Sequence, residues 1–373
     1  MDDTLMQRSG ATGQAVIEPT VRVQPFMVPE TAVDQPAVKW DLTTPEALPV
    51  TPVVGQAVID SLERGETGYT SGAGIQEVCE AVAAWSTAAG FPVEAGRVVV
   101  TNGASEARYI LLRGLVTPGR RVLMTDQFDA DTARIAEMVG GEVSISAGLP
   151  EPESGDLVLV AEASGFEGSR IDQEQIAAFL QAAAGAGATV VVDRSAVFDS
   201  YIAPEPFLRP ELTGDIYTIG SMAGLLGLDA WRVGYLTSPE ATFRRLAELK
   251  ESMSISTSTP SQYAALSTLE HAGEILEAAR QQATTRRDRA TGLLDATGIG
   301  YRMPDISPGL LIEAGMDDVR AADLLAAQGV RVEPGSVFSE RLSGWLRIDL
   351  RAPVDVLEDG IRQMVAVLNE ARK

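Results

Sequence analysis

One run combines residue types suited to binding with a suitable spacing: Thr101-Asn102-Gly103-Ala104-Ser105-Glu106-Ala107, which ends an apolar stretch and opens a helical one. A glycine-bearing strand end that leads into a helix aims free backbone N–H groups, and the positive end of the helix dipole, at a single spot. Such a spot suits an anion. Arg347, inside the otherwise apolar run Trp345-Leu346-Arg347-Ile348, also needs an anionic partner. Primary amines are scarce, with Lys39, Lys250 and Lys373 the only lysines beside 27 arginines. The one cysteine, Cys79, and the one histidine, His271, rule out an intramolecular disulfide and leave no Cys/His cluster for zinc. No metal is expected.

These groups must be carried by elements that the apolar pattern outlines. Residues 1–36 scatter Pro, Gly, Thr and Gln without a period and are expected to form an extended or disordered arm. Two amphipathic helices follow, VVGQAVIDSLERG and GIQEVCEAVAAWSTAAG, each closed by a glycine. Short β-branched runs then alternate with helical stretches: RVVVT, RVLMTD, EVSIS, DLVLVAEA, TVVVDRS and DIYTIGS. Near-continuous apolar strands separated by helices predict a mostly parallel sheet buried on both faces. A long helix is expected over about 239–253 and again over 260–295, broken at Ser-Thr-Pro. The tail, with the strands GLLIEAG and WLRIDL, predicts a smaller α+β domain.

Composition excludes some partners. With 52 acidic and 30 basic residues the formal charge is −22, which repels nucleic acid and anionic lipid. No apolar run reaches the roughly 18 residues of a membrane span, and MDDTLMQRSG lacks the features of a signal peptide. A cytoplasmic location is therefore expected, with neither nucleic acid nor membrane as partner.

In order, these segments resemble the class I/II aminotransferases, the fold-type I group of pyridoxal phosphate (PLP) enzymes, from residue 37 to 373. Tyr69 followed by Gly74 and a helix is similar to one family motif, although Cys79 stands where an arginine is usual. The 101–107 run resembles the phosphate-binding turn. Gly220-Ser221-Met222-Ala223-Gly224 with Gly227-Leu228-Asp229-Ala230-Trp231-Arg232-Val233-Gly234-Tyr235 resembles the motif that carries the Schiff-base lysine and a phosphate-binding arginine. Val332 to Phe338 with Trp345 to Ile348 resembles the strand that clamps the substrate carboxylate.

The resemblance implies an α/β fold with a seven-stranded-type sheet in a large domain over 61–285, a segment over 37–60 that packs with a small domain, and that small domain over 286–373. It implies cofactor contacts from Gly103, Ala104, Ser105, Phe128, Asp193, Ser221, Arg232 and, across a homodimer, Tyr69. Phe128 would stack on the pyridine and Asp193 would pair with its nitrogen. Taken alone, Phe128 reads equally as core filler and Asp193 as a turn or cap residue. Ser221 and Arg232 suit phosphate oxygens, and Arg347 would hold the substrate carboxylate, with a structural salt bridge as its alternative.

The departures from the family are grouped. The lysine position is Gly224, a ring-contacting asparagine is replaced by Gly165, and a tyrosine by Ala196. Glycine can neither hold an aldehyde nor move a proton, so lysine-dependent transamination is not expected. None of the three lysines maps to the site, and each reads as a solvated surface charge. The space left is expected to be filled by a bulkier ligand, by water, or by Leu225, Met222 or Phe166 moving inward. The residues left to carry protons are Glu162, Glu167, Arg194, Ser195 and Tyr217. The leading expectation is an enzyme, as in specialised metabolism, that takes an amino-acid-like or phosphate-bearing ligand and does other chemistry. It would bind PLP or its amine form (PMP) noncovalently, or no cofactor. The alternatives are an inactive homologue acting as a binding or regulatory partner, and a conventional aminotransferase.

Overall fold

The computed structural model describes residues 37–46, 50–128, 130–202 and 216–372. The arm expected over 1–36 lies outside the described residues. The chain enters through β1 (Trp40–Asp41), α1 (Pro52–Glu63) and α2 (Gln76–Ala88). The alternation then runs β2 (Val98–Thr101), α3 (Gly103–Leu115), β3 (Arg121–Thr125), α4 (Ala130–Met138), β4 (Glu142–Ser146) and β5 (Leu157–Ala161). A small hairpin, β6 (Ala163–Ser164) and β7 (Ser169–Arg170), precedes α5 (Gln173–Ala186), β8 (Thr189–Asp193), β9 (Ile216–Ser221) and β10 (Gly234–Thr237). Next come α6 (Glu240–Ser254), α7 (Thr259–Glu270) and α8 (Ala272–Asp295). The chain ends with β11 (Tyr301–Arg302), β12 (Gly309–Glu313), α9 (Asp318–Ala326), β13 (Val330–Arg331), β14 (Glu333–Pro334), β15 (Trp345–Asp349) and α10 (Val354–Ala371).

Seven strands form one sheet in the order β2-β10-β9-β8-β5-β3-β4. Its pairs are parallel except at β10, which runs antiparallel to both neighbours. Helical crossovers cover both faces, which is why VVVT, LVLVA and TVVVD carry apolar residues at successive positions. Alternate side chains serve opposite layers. Val191 and Ile219 pack with Ile110 and Leu111 of α3, whereas Val158, Val160, Val190 and Val192 pack with Ile176 and Leu180 of α5. The expected sheet and strands are present, with β10 added.

A second, antiparallel sheet has the order β11-β12-β15-β14. β1 pairs in parallel with β13, so residues 40–41 are tied to the C-terminal part of the chain, while α1 packs on α7. The expected helix over 260–295 is two helices, α7 and α8, separated at His271. α8 itself runs unbroken past 285. Among the described residues, no helix is long and apolar enough to cross a membrane.

Site geometry follows from the parallel register. Ala161 lies beside Asp193 and Asp193 beside Ile219, so β5, β8 and β9 end together. In open α/β sheets the carboxyl ends of the strands form the ligand crevice.

Candidate functional site

The expected anion end is assembled from β2, α3 and β10. Gly103 begins α3 with φ +80°, and a Cβ built there would lie 2.6 Å from an Arg232 guanidinium nitrogen. A Cβ at Gly234 would lie 2.6 Å from the Gly103 carbonyl carbon and 2.8 Å from the Ala104 nitrogen. The two glycines therefore let strand, helix start and guanidinium close on one another. Arg232 itself has φ +55°, a left-handed conformation that costs a non-glycine residue about 1–2 kcal/mol. It is exposed and makes no hydrogen bond or ion pair among the described residues. Ser221 lies nearby on β9, its Oγ accepting from the Ala223 N–H at 3.1 Å. This end thus offers an unpaired guanidinium beside a helix N-terminus.

Lys250, expected as a solvated surface charge, is instead buried. Its Nζ donates to Ser254 Oγ at 2.6 Å and lies 3.4 Å from Glu106 Oε2, and Glu106 also accepts from the Asn102 N–H at 2.6 Å. Burial pulls the ammonium below its usual range, against the opposing pull of Glu106. The misreading came from the many charges around it on α6, since helical spacing did not separate the face turned toward α3.

Position 224 is built differently from a lysine site. Gly224 has φ +69°, and its N–H donates to Asp229 Oδ2 at 3.2 Å. A Cβ added there would overlap the Asp199 carboxylate. Asp199 Oδ1 accepts from the Leu225 N–H at 2.8 Å, which locks the carboxylate into that volume. Of the residues expected to move inward, Leu225 and Met222 are buried in the core, and Phe166 stacks on Phe338 with ring centroids 5.4 Å apart. At Gly165 an added Cβ would meet only Pro308 Cδ, at 3.8 Å.

Asp193 stands at the end of β8 as expected, but its partner is internal. Arg108 of α3 donates from Nε to Asp193 Oδ2 at 2.6 Å and from Nη2 to Ser195 Oγ at 3.1 Å, while the Ser195 N–H takes Asp193 Oδ1 at 2.9 Å. The same guanidinium lies 5.9 Å from the centre of the buried Phe128 ring. A planar cation thus sits on the carboxylate and beside the aromatic face that the resemblance reserves for a pyridinium.

The remaining predicted residues separate into groups. Glu162 is buried between Arg194 at 2.6 Å and Arg170 at 3.2 Å, and Arg194 also stacks on Phe91 at 4.4 Å. Glu167 pairs with Arg341 at 2.6 Å, and Arg341 also meets Asp126. Tyr217 is buried at the other end of β9, about 13 Å along the strand from Ser221, with its hydroxyl on Thr242 Oγ1 at 3.0 Å. Arg347 is bound to Glu333 and donates to the carbonyls of Phe166 at 3.2 Å and Gly165 at 3.4 Å. Tyr69 is 84% exposed. The structure therefore brings together Gly103, Ala104, Ser105, Ser221 and Arg232, and separately Phe128, Asp193 and Ser195. Tyr217 stays apart.

Two residues that sequence reasoning did not single out, Arg108 and Asp199, bear directly on the site. Asp199 is half-buried, and desolvation pushes its carboxyl up to about 7, opposed by the Leu225 N–H and Arg351. Between pH about 4, where an unfolded aspartate ionises, and about 7, the folded chain holds a proton that the unfolded chain has released. Stability is therefore lost as pH rises through that window. Asp199→Asn removes the effect. After allowance for partial solvent screening, the variant should gain about 2 kcal/mol on wild type between pH 5 and pH 8 in urea unfolding. An offset equal at both pH values would contradict the assignment.

The family model described as "Aminotransferase class I and II" matches residues 41–361. The chain is 25% identical over 355 residues to the aspartate/prephenate aminotransferase of Thermus thermophilus, covering 89% of each chain. It is 24% identical over 379 residues to the aspartate aminotransferase of Streptomyces avermitilis, covering 91% of each. Among solved structures it superposes on the aromatic aminotransferase of Pyrococcus horikoshii with a TM-score of 0.81 at 18% identity, covering 89% of this chain and 96% of that one. The strand order, the site at the strand ends and these matches agree: the chain belongs to the class I and II aminotransferase family.

Proposed function

We propose that this family member acts without a lysine-bound aldehyde, taking a small amino-acid-like or phosphate-bearing ligand and catalysing a reaction other than lysine-dependent transamination, as in specialised metabolism. The observation that carries this is Gly224, with its left-handed backbone and the Asp199 carboxylate in the volume of the missing side chain. Family members use PLP, but the residues here fit only part of it. Arg232 and the α3 N-terminus suit a phosphate. The pyridine end does not fit, because Arg108 already holds Asp193 at 2.6 Å, and no amine is present at 224. No step is therefore assigned to PLP. Arg232 and the helix N-terminus hold the anion, and Phe128 supplies an apolar wall.

Two copies of the chain would complete the site, since Tyr69 is 84% exposed and free to reach a neighbour. The large and small domains are proposed as 61–285 and 286–373. A second reading, a binding or regulatory protein, is favoured by the internal pairing of Arg347 with Glu333, which occupies the expected carboxylate clamp.

The test is to add PLP, reduce with borohydride and measure the intact mass, alongside amino-group exchange between aspartate and 2-oxoglutarate. No pyridoxyl adduct and no exchange are expected. A reducible adduct on any lysine, with exchange above background, would restore a conventional aminotransferase. Turnover of a phosphate-bearing amine would separate the enzyme from the binding protein.

A further inference from the structure

The carboxylate beside Gly224 is placed to receive something. Asp199 Oδ1 is held by the Leu225 N–H, and Oδ2 has no hydrogen-bond donor among the described residues. Asp199 itself is half-buried. The charged and titratable groups around it are Arg280 from α8, Arg351 and Asp349 at and after the end of β15, Asp229 from the loop after Gly227, and Tyr201 two residues on. Neither nearby guanidinium hydrogen-bonds to it. Arg351 is engaged by Asp349 at 3.0 Å and Asp229 at 3.1 Å, and Arg280 donates to the Ser200 carbonyl at 3.1 Å. A carboxyl group thus lies directly against position 224, where the family carries the first atoms of its lysine side chain. Ser221 is only three residues from Gly224, a chain reach of at most about 11 Å, so this carboxylate and the anion end fall within the span of one small molecule.

We propose that Asp199 is a specificity-determining residue that accepts the ammonium group of the ligand, so that the site selects a phosphorylated amine and discriminates against the matching aldehyde or unsubstituted phosphate. This deepens the proposed function and rests on its anion end. A carboxylate repels the oxygen of an aldehyde and attracts an ammonium, the opposite of the preference a lysine creates. Burial pushes the Asp199 carboxyl up to about 7, so the selectivity should strengthen as pH rises through neutrality, while the amine remains protonated.

The test uses the full chain and isothermal titration calorimetry with aminoalkyl phosphates of two, three and four carbons, each beside its amine-free alkyl phosphate. At one chain length the amine should bind about tenfold more tightly at pH 8, as expected for one charge-assisted hydrogen bond. The ratio should fall severalfold at pH 6. Each constant is corrected for the separately titrated second ionisation of its own phosphate, which a nearby ammonium lowers. Asp199→Asn, which keeps an acceptor for the Leu225 N–H, should abolish the ratio and leave the alkyl phosphate unchanged, and Asp199→Ala should do the same. Should neither variant fold, the pH dependence of the wild-type ratio decides. Equal binding of amine and amine-free members at every length, or a preference that survives Asp199→Asn, overturns the inference alone. Binding of no phosphate at all overturns the anion end, and with it both the proposed function and this inference.

Discussion

Replacing Gly224 by lysine is expected to destabilise the chain by roughly 3–5 kcal/mol without creating an aldehyde-binding site. Two costs add. A side chain at φ +69° costs about 1–2 kcal/mol relative to glycine. The new Cβ also overlaps Asp199, so that carboxylate must swing away and give up the Leu225 N–H, a charged hydrogen bond of about 1.5–3 kcal/mol. Asp199→Ala alone gives up the same Leu225 N–H bond, so adding it to Gly224→Lys should cost little more, and the double variant should be about as stable as Gly224→Lys rather than showing the sum of the two single losses. Urea unfolding of the single and double variants measures this coupling. Absorbance after adding PLP should show no internal aldimine in the single variant. A Gly224→Lys chain as stable as wild type, with an aldimine band, would mean that the Asp199 side chain does not occupy the position described.

Arg108→Leu has the other large expected effect. Asp193 is 3% exposed, and its closest cationic partner is Arg108 Nε at 2.6 Å. Removing one member of a buried pair leaves an uncompensated charge and costs about 3–5 kcal/mol. Converting Asp193 to Asn in the same chain removes that charge, so Arg108→Leu/Asp193→Asn should recover most of the loss. Denaturant midpoints for wild type, both single variants and the pair give the coupling. Additive losses would show that the ion pair is not what holds these two residues.

Much of the fold was legible in the sequence because a parallel sheet with helices on both faces demands continuous apolar strands, and VVVT, LVLVA and TVVVD supply them. β10 was missed because GYLT is only four residues long and lies inside a run read for its glycines and Arg232. The break at His271 was missed because no proline or glycine stands at the break itself; the nearest glycine, Gly273, lies inside α8. Within the site, the glycine at 224 was legible, but its consequence was not. Spacing reveals that a side chain is gone and is silent about which distant residue enters the vacated volume. Asp199 arrives from a turn 25 positions earlier in the chain. One cue was available: an aspartate in the short run Ala196-Val197-Phe198-Asp199, just past a buried strand, needs donors. Arg108 offered a similar cue, a guanidinium between Ala107 and Leu111 on a helix otherwise turned toward the core.

The antiparallel strand β10 has a consequence for how the molecule matures. It lies between β2 and β9 and carries Gly234, against which the first turn of α3 closes. During synthesis β2 and α3 emerge more than a hundred residues before that strand, so the corner where α3 begins stays half-made until residues 232–237 arrive. Phosphate affinity at the proposed anion end should therefore appear late in refolding, after the parallel strands have paired, because β2–β10 is the most distant strand pairing of the seven-stranded sheet.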